Sequence, residues 1–202
     1  MSKIAVIGAT GNVGQRVVAE ALRRGHDVIA IARDTSKVPA QAGVTAAQAD
    51  LADKAAIARA VEGADAVVLS VRFQDLDFDG VLDALKGVRR LLVVGGAASL
   101  EVAPGQVLLD QPDFPDFIKP EATPARAALE KLRATTDLDW TFLSPSVFFG
   151  PGERTGKFRL GGDQLLTAAD GKSHISYEDY AIALLDEIEN PKHIRQRFTV
   201  GY

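Results

Sequence analysis

The sequence predicts an α/β fold, a doubly wound parallel sheet with helices on both faces and a small C-terminal lobe. Three observations carry this expectation. Apolar runs of strand length, beginning with Ile4-Ala5-Val6-Ile7, alternate with segments of helical periodicity. The turn Gly8-Ala9-Thr10-Gly11-Asn12-Val13-Gly14 joins the first run directly to a helical pattern. A second apolar run, from Asp27 to Ala32, follows about twenty residues on, the spacing of a strand–turn–helix–strand unit.

The continuous run Ile4 to Ile7 suits a central parallel strand buried on both faces. The first helix is expected over residues 13–24, with Val13, Val17, Ala21 and Leu22 as its inner stripe and Gly25 as its stop. The second strand ends at Arg33, and a short weak helix precedes Pro39. Residues 43–49 read as a marginal strand, followed by Asp50-Leu51. Asp53 caps a helix to Glu62 that Gly63 ends. A strand over 64–71, a short helix over 80–86 and a strand over 90–94 follow, the last ending at Gly95-Gly96.

The character then changes. Residues 97–120 carry Pro104, Pro112, Pro115 and Pro120 and read as a shaped loop of the kind that bears substrate contacts. A helix is expected over 121–136, with Pro124 tolerable only in its first turn. A strand over 140–143 leads into a glycine-rich loop over 145–163, with Leu165 and Leu166 as a small strand beyond it. The helix over 176–189 is capped by Ser176, with Asp179 three residues on in a near capping box; Tyr180, Leu184, Leu185 and Ile188 line one face. Residues 197–200 form a terminal strand, and no internal repeat interrupts the pattern.

Composition narrows the function classes. The 202 residues suit a single domain, residues 1–202, with the smaller substrate-side elements within about 145–202. Hydrophobic content of 47% and charged content of 25% are those of a soluble globular chain. A net charge of −4 gives no basic footprint for nucleic acid. No run approaches the ~18 apolar residues of a membrane span. Zero cysteines exclude disulfides and thiolate chemistry and suit a cytoplasmic protein. Met1-Ser2-Lys3 runs straight into a strand, which argues against a signal peptide.

In open parallel sheets ligands sit at the carboxyl ends of the strands. Gly8 can take the angles of the sharp turn, Gly11 leaves room for a pyrophosphate, and Gly14 lets the helix approach the strand. Exposed N–H groups at the helix start then favour an anion. The same rim gathers Arg33, Asp50, Ser70 to Arg72 and Gly95-Gly96. A site for NAD usually ends the second strand in a carboxylate; this chain has Arg33, a partner for a ribose 2′-phosphate, so NADP(H) is favoured over NAD(H). The alternative is a solvated surface arginine, and the adjacent Asp34 weakens the preference. Asp50 either meets the adenine edge or is a helix-entry residue.

These motifs resemble those of the atypical short-chain dehydrogenases/reductases, in the NADH–flavin reductase branch related to NmrA-like and biliverdin-reductase-B-like proteins. The resemblance covers nearly the whole chain. Besides the glycine turn and Asp50-Leu51 it rests on Leu138-Asp139-Trp140-Thr141-Phe142-Leu143-Ser144-Pro145, Pro151-Gly152-Glu153-Arg154-Thr155-Gly156 and Ile175-Ser176-Tyr177-Glu178-Asp179-Tyr180-Ala181. It implies a Rossmann-like sheet. It also implies NAD(P)H binding by Gly8, Thr10, Gly11, Asn12 and Val13, with Arg33 at the 2′-phosphate. Further contacts are implied from Asp50, Leu51, Ser70, Val71, Arg72, Gly95 and the loop after Pro145.

The departure concerns catalysis. Members of the wider group use Tyr-x-x-x-Lys on the helix before the sixth strand; in this register Ala122 stands at the Tyr and Arg126 at the Lys, with Lys119 as a substitute lysine. Gly95-Gly96 stands where a catalytic Ser is usual. Carbonyl reduction needs a proton at a developing alkoxide. A flavin such as FMN or FAD, a quinone or a similar conjugated acceptor delocalises the arriving charge and depends mainly on orientation. The expectation is therefore an NADPH-dependent reductase of such an acceptor, a monomer or homodimer acting on a small molecule. The alternative is a non-catalytic NADP(H)-binding redox sensor.

Other signals carry less. Asp75 to Gly80 resembles the opening of a calcium loop, but Lys86 stands where a bidentate Glu is needed, so an acidic helix start is expected. His26, His174 and His193 lack metal-ligand spacing. His174 either touches substrate or is structural, Phe148 and Phe149 either wall the site or pack, and Trp140 belongs to the core.

Overall fold

The computed structural model describes residues 1–202. Its strands are β1 (Lys3–Ile7), β2 (Asp27–Ala32), β3 (Val44–Gln48), β4 (Ala66–Leu69), β5 (Arg90–Val94), β6 (Glu101–Ala103), β7 (Gln106–Val107), β8 (Asp139–Pro145), β9 (Phe148–Gly150), β10 (Arg159–Gly161), β11 (His174–Ser176) and β12 (Gln196–Gly201). The helices are α1 (Asn12–Arg23), α2 (Lys54–Ala60), α3 (Phe78–Ala84), α4 (Lys119–Arg133) and α5 (Tyr177–Glu189). Eight strands form one sheet in the order β3-β2-β1-β4-β5-β8-β12-β10, parallel except for the β10–β12 edge. This is a Rossmann-like doubly wound sheet, with its switch point between β1 and β4.

The period of two along each strand divides the core. Ile4, Val6, Val28, Ala30, Val68 and Leu92 face the layer of α1 and α5. Ala5, Ile7, Ile29, Ile31, Leu69, Leu91 and Val93 face α2, α3 and α4. The predicted stripes hold: Val17 and Ala21 of α1 and Tyr180, Leu184 and Leu185 of α5 are fully buried, and Trp140 is core. Asp77 caps α3 by accepting from Gly80 N at 2.9 Å, so the acidic loop is a helix start.

Several expected elements differ. Residues 97–120 include the β6–β7 hairpin and two 3₁₀ turns, Leu108–Asp110 and Asp116–Ile118. The second turn runs straight into α4, so the helix begins at Lys119, Pro120 takes its first turn, and Pro124 lies inside. There Pro124 leaves the carbonyl of Pro120 without its helical donor. Leu165 and Leu166 form no strand; Leu165 N donates instead to Glu101 O at 2.8 Å. The edge strand is β10, and Leu166 packs over Gly161 and Gly201. The 145–163 loop contains β9, which pairs in parallel with β11 above the rim. Ser176 caps α5 as expected, but Asp179 does not return the bond. Ser176 N donates to the Tyr202 hydroxyl, and the Asp179 carboxylate is used elsewhere.

Candidate functional site

The glycine turn is sterically determined. Gly8 has φ +84°, and a Cβ there would lie 2.0 Å from Ser70 O on β4's exit. A Cβ on Gly14 would lie 2.1 Å from Gly8 O, so α1 starts with its backbone against the turn. Gly11 is looser, its nearest neighbour Gly8 O at 3.3 Å. The N–H groups of Gly8 and Ala9 share Ile31 O, and Gly11 N closes on Gly8 O. Thr10, Asn12, Val13 and Gly14 N–H find no acceptor within the protein. Such a row of uncommitted donors at a helix start is suited to a pyrophosphate.

Every rim residue expected from the sequence lines one cleft of about 870 Å³: Gly8, Thr10, Gly11, Asn12, Val13, Arg33, Asp50, Leu51, Ser70, Val71, Arg72, Gly95 and Pro145. Arg33 is exposed, and its guanidinium has no protein partner. Asp34 does not compete for it. That carboxylate accepts from the Ser36 hydroxyl (2.6 Å) and Ser36 N (3.0 Å), and the two bonds, the hydroxyl's first, hold its pKa below the usual carboxylate value. Asp50 closes a tight turn with Ala52 N at 2.9 Å, leaving its second oxygen free.

The loop after β4 is fixed by a residue that no sequence motif marks. Glu121, in the first turn of α4, accepts from Phe73 N at 2.8 Å and Gln74 N at 2.9 Å, and lies 3.7 Å from Arg72. One carboxylate thereby ties the rim at Arg72 to the opposite wall.

That wall is largely apolar. Leu108, Phe114, Ile118, Ala122, Ala125 and Val147 line it, with Phe149 beside them. Ala122 does stand on the cleft, and so does Arg126, which is held by both oxygens of Asp110 at 2.8 and 2.9 Å. Lys119 is bound to Asp116 at 2.6 Å and does not line the cleft, so it supplies no substitute lysine there. Gly95 has no room for a side chain, because a Cβ would lie 2.1 Å from the Phe142 ring. Phe149 walls the cleft; Phe148 is exposed outside it. His174 stands away from it, packed 4.9 Å from Tyr202 with Nδ1 buried and unpartnered.

Two further features are not foreseen by the sequence patterns. Tyr177, the first residue of α5, lines the cleft. The segment 151–156 is a strap fastened to both helices of the α1/α5 layer. Gly152 N donates to Glu178 at 2.9 Å. Thr155 N and Gly156 N each donate to Asp179 at 2.8 Å. Arg154 reaches Glu20 at 2.9 Å, beside Arg23 and Arg24. Burial alone would raise the Glu20 pKa; hydrogen bonds from Arg23, Arg154 and Arg24 outweigh it and hold the carboxyl far below its usual range. The Arg154–Glu20 pair joins residues more than a hundred positions apart, so local patterning carries no sign of it.

No group of three or more His, Cys, Asp or Glu side chains is placed to hold a metal ion, and no helix is long and apolar enough to cross a membrane.

Known proteins share this fold. A Bacillus subtilis protein of uncharacterised function, YwnB, is 41% identical over 210 residues, covering 98% of this chain and 97% of its own. The solved "putative epimerase" of Bacteroides thetaiotaomicron is 40% identical with a TM-score of 0.94, covering 100% of this chain and 97% of its own. The solved "putative NADH-flavin reductase" of Streptococcus pneumoniae is 37% identical with a TM-score of 0.89, covering 100% and 99%. The two solved relatives bear different activity names on one fold. A family model described as NAD(P)H-binding matches residues 8–191, with the glycine turn at its start and α5 near its end. The chain belongs to this NAD(P)H-binding, oxidoreductase-like family.

Proposed function

We propose that the protein is an NADPH-dependent reductase whose acceptor is a flavin, a quinone or a similar conjugated molecule. The observation that carries the reading is the contrast within the cleft. One end has a row of free N–H donors and an unpaired Arg33; the other has a largely apolar wall on which Ala122 stands where the family resemblance puts a tyrosine. The S. pneumoniae relative's name agrees with the flavin acceptor and names NADH rather than NADPH as the donor.

In this reading the turn from Gly8 to Val13 and the start of α1 hold the pyrophosphate. Arg33 pairs with the 2′-phosphate, and Asp50 and Leu51 border the adenine. A bound nicotinamide supplies the hydride. Gly95 keeps the floor of the site flat by admitting the Phe142 ring beneath it. Phe149, Val147, Leu108 and Ile118 exclude water and orient a planar acceptor by apolar contact. The proton required by a conjugated acceptor comes from solvent, because the delocalised charge needs no positioned acid, and the carboxylate of Glu121 is committed to the β4 loop.

The test follows the loss of the NADPH absorbance band in the near ultraviolet with FMN, FAD and a quinone panel, alongside NADH. Turnover with at least one acceptor and preference for NADPH are expected. Binding of NADPH with no turnover above background for any acceptor overturns the reading in favour of a cofactor-binding sensor.

A further inference from the structure

The chain has three tyrosines, and two of them have committed hydroxyls. Tyr180 is fully buried and donates to Leu143 O at 2.7 Å. The Tyr202 hydroxyl bridges Ser176 at 2.9 Å and Asp179 at 2.8 Å. Tyr177 differs: it lines the cleft, and its hydroxyl makes no hydrogen bond within the protein.

Its ring is nevertheless fixed. Phe149 meets it edge-on, with centroids 4.7 Å apart at 82°. The Arg16 guanidinium lies 5.7 Å from the ring centroid. Arg16 donates to Asn12 O at 3.2 Å and to Glu178 at 3.0 Å. Tyr177 is thereby tethered, through one arginine, to the first turn of α1, where Thr10, Asn12, Val13 and Gly14 present their free N–H groups. Glu178 is the acidic neighbour, and its charge is taken up by Arg16 and by Gly152 N at 2.9 Å.

We infer that Tyr177 is a cofactor-binding residue whose hydroxyl donates to the pyrophosphate, adding a side-chain donor from α5 to the backbone donors of the glycine turn. The inference rests on the dinucleotide reading above. A phenol whose ring is braced by an aromatic edge and a cation needs little reordering to donate, and a charged acceptor makes the bond a strong one. It also gives the Pro151–Gly156 strap a purpose: by bonding Glu178 and Asp179 of α5 and, through Arg154, Glu20 of α1, it ties the two helices together and holds Tyr177 at the turn.

The experiment measures binding of three probes to the wild-type chain and to Tyr177→Phe, which keeps the ring and its packing. The probes are NADPH, 2′-phospho-ADP-ribose, which lacks the nicotinamide, and adenosine 2′-phosphate, which lacks the pyrophosphate as well. The expected result is a weakening of about tenfold for the first two and no change for the third, the size of one hydrogen bond to a charged group. Unchanged affinity for all three overturns the inference. So does equal weakening of all three, which marks a general loss of the site. Weakening of NADPH alone moves the contact to the nicotinamide and also overturns it. Failure of the wild-type chain to bind NADPH removes the dinucleotide reading itself, and this inference with it.

Discussion

The glycine turn and the strap over residues 151–156 both meet α1, the turn at Gly14 and the strap through Arg154 and Glu20, and they are held in opposite ways. The turn is held by the absence of atoms. Gly8 and Gly14 leave no space for a Cβ, and backbone amides close the loop on Ile31 and Gly8 itself. The strap is held by charge. Glu20, Glu178 and Asp179 gather arginines and backbone N–H groups from distant parts of the chain. Steric exclusion is insensitive to pH and unforgiving of substitution. A carboxylate network tolerates change in size but depends on ionisation. The two segments thus do different work: one shapes the turn at the start of α1, and the other fastens α1 to α5.

This contrast can be broken or sharpened by substitution. The largest effect is expected at Gly8→Ala or Gly14→Ala, where the new methyl would stand 2.0 or 2.1 Å from a backbone oxygen. A loss of roughly 3 kcal/mol or more follows from overpacking, with positive-φ strain added at Gly8. Thermal unfolding measures it, and a near wild-type Tm would show the turn to be adaptable. Next comes Glu20→Gln, which leaves Arg23, Arg24 and Arg154 without their shared anion and costs roughly 2–4 kcal/mol, less than a fully buried broken pair because Arg23 and Arg154 are partly exposed.

Glu20 also sets a pH dependence. Its folded pKa lies far below the ordinary value of 4.5, so its contribution is fully present above that value. It is lost progressively as the pH falls below it towards the folded pKa. The wild-type Tm should therefore fall on acidification more steeply than that of Glu20→Gln, whereas Gly8→Ala should share the wild-type slope. Parallel curves for wild type and Glu20→Gln would show that the strap is not held by that charge.

A smaller effect is expected at Arg33→Ala, which leaves stability unchanged and weakens NADPH about tenfold relative to NADH, the effect of removing one charge-assisted hydrogen bond. An unchanged ratio of the two affinities would return Arg33 to the solvated surface. The smallest belongs to Arg126→Ala. Its pair with Asp110 is half exposed, so the stability change is about 1 kcal/mol or less. NADPH affinity should be unaffected, and any kinetic change should fall on the acceptor's KM. A collapse of kcat with KM intact would instead make Arg126 part of the chemistry.

The legibility of the chain follows the range of its contacts. β1, the turn, α1 and β2 are readable because each rests on neighbours in sequence: an apolar run, glycines at fixed spacing, a stripe at helical period. Ser176 is readable as a cap because its hydroxyl accepts from Asp179 N, three residues on. The Asp179 side chain departs from the local pattern, since Thr155, Gly156 and Tyr202 displace the local partner and lie more than twenty positions away. Pro124 sits deeper in its helix than the pattern predicts because the 3₁₀ turn at Asp116–Ile118 extends α4 backwards, a junction without a strong cap signal. Lys119 qualifies as a substitute lysine by residue type alone; its ion pair with Asp116 directs it elsewhere.

By itself the sequence determined the doubly wound sheet, the glycine turn and the set of rim residues, because parallel strands buried on both faces and a strand-to-helix turn write their demands into adjacent positions. The fold in three dimensions settles that Arg33 is free while Asp34 is occupied, that Glu121 clamps the β4 loop, and that Tyr177 lines the cleft with its ring near Arg16 of α1. Those outcomes depend on which side chain reaches a shared partner first, and that competition is resolved in space, between residues that no sequence window contains.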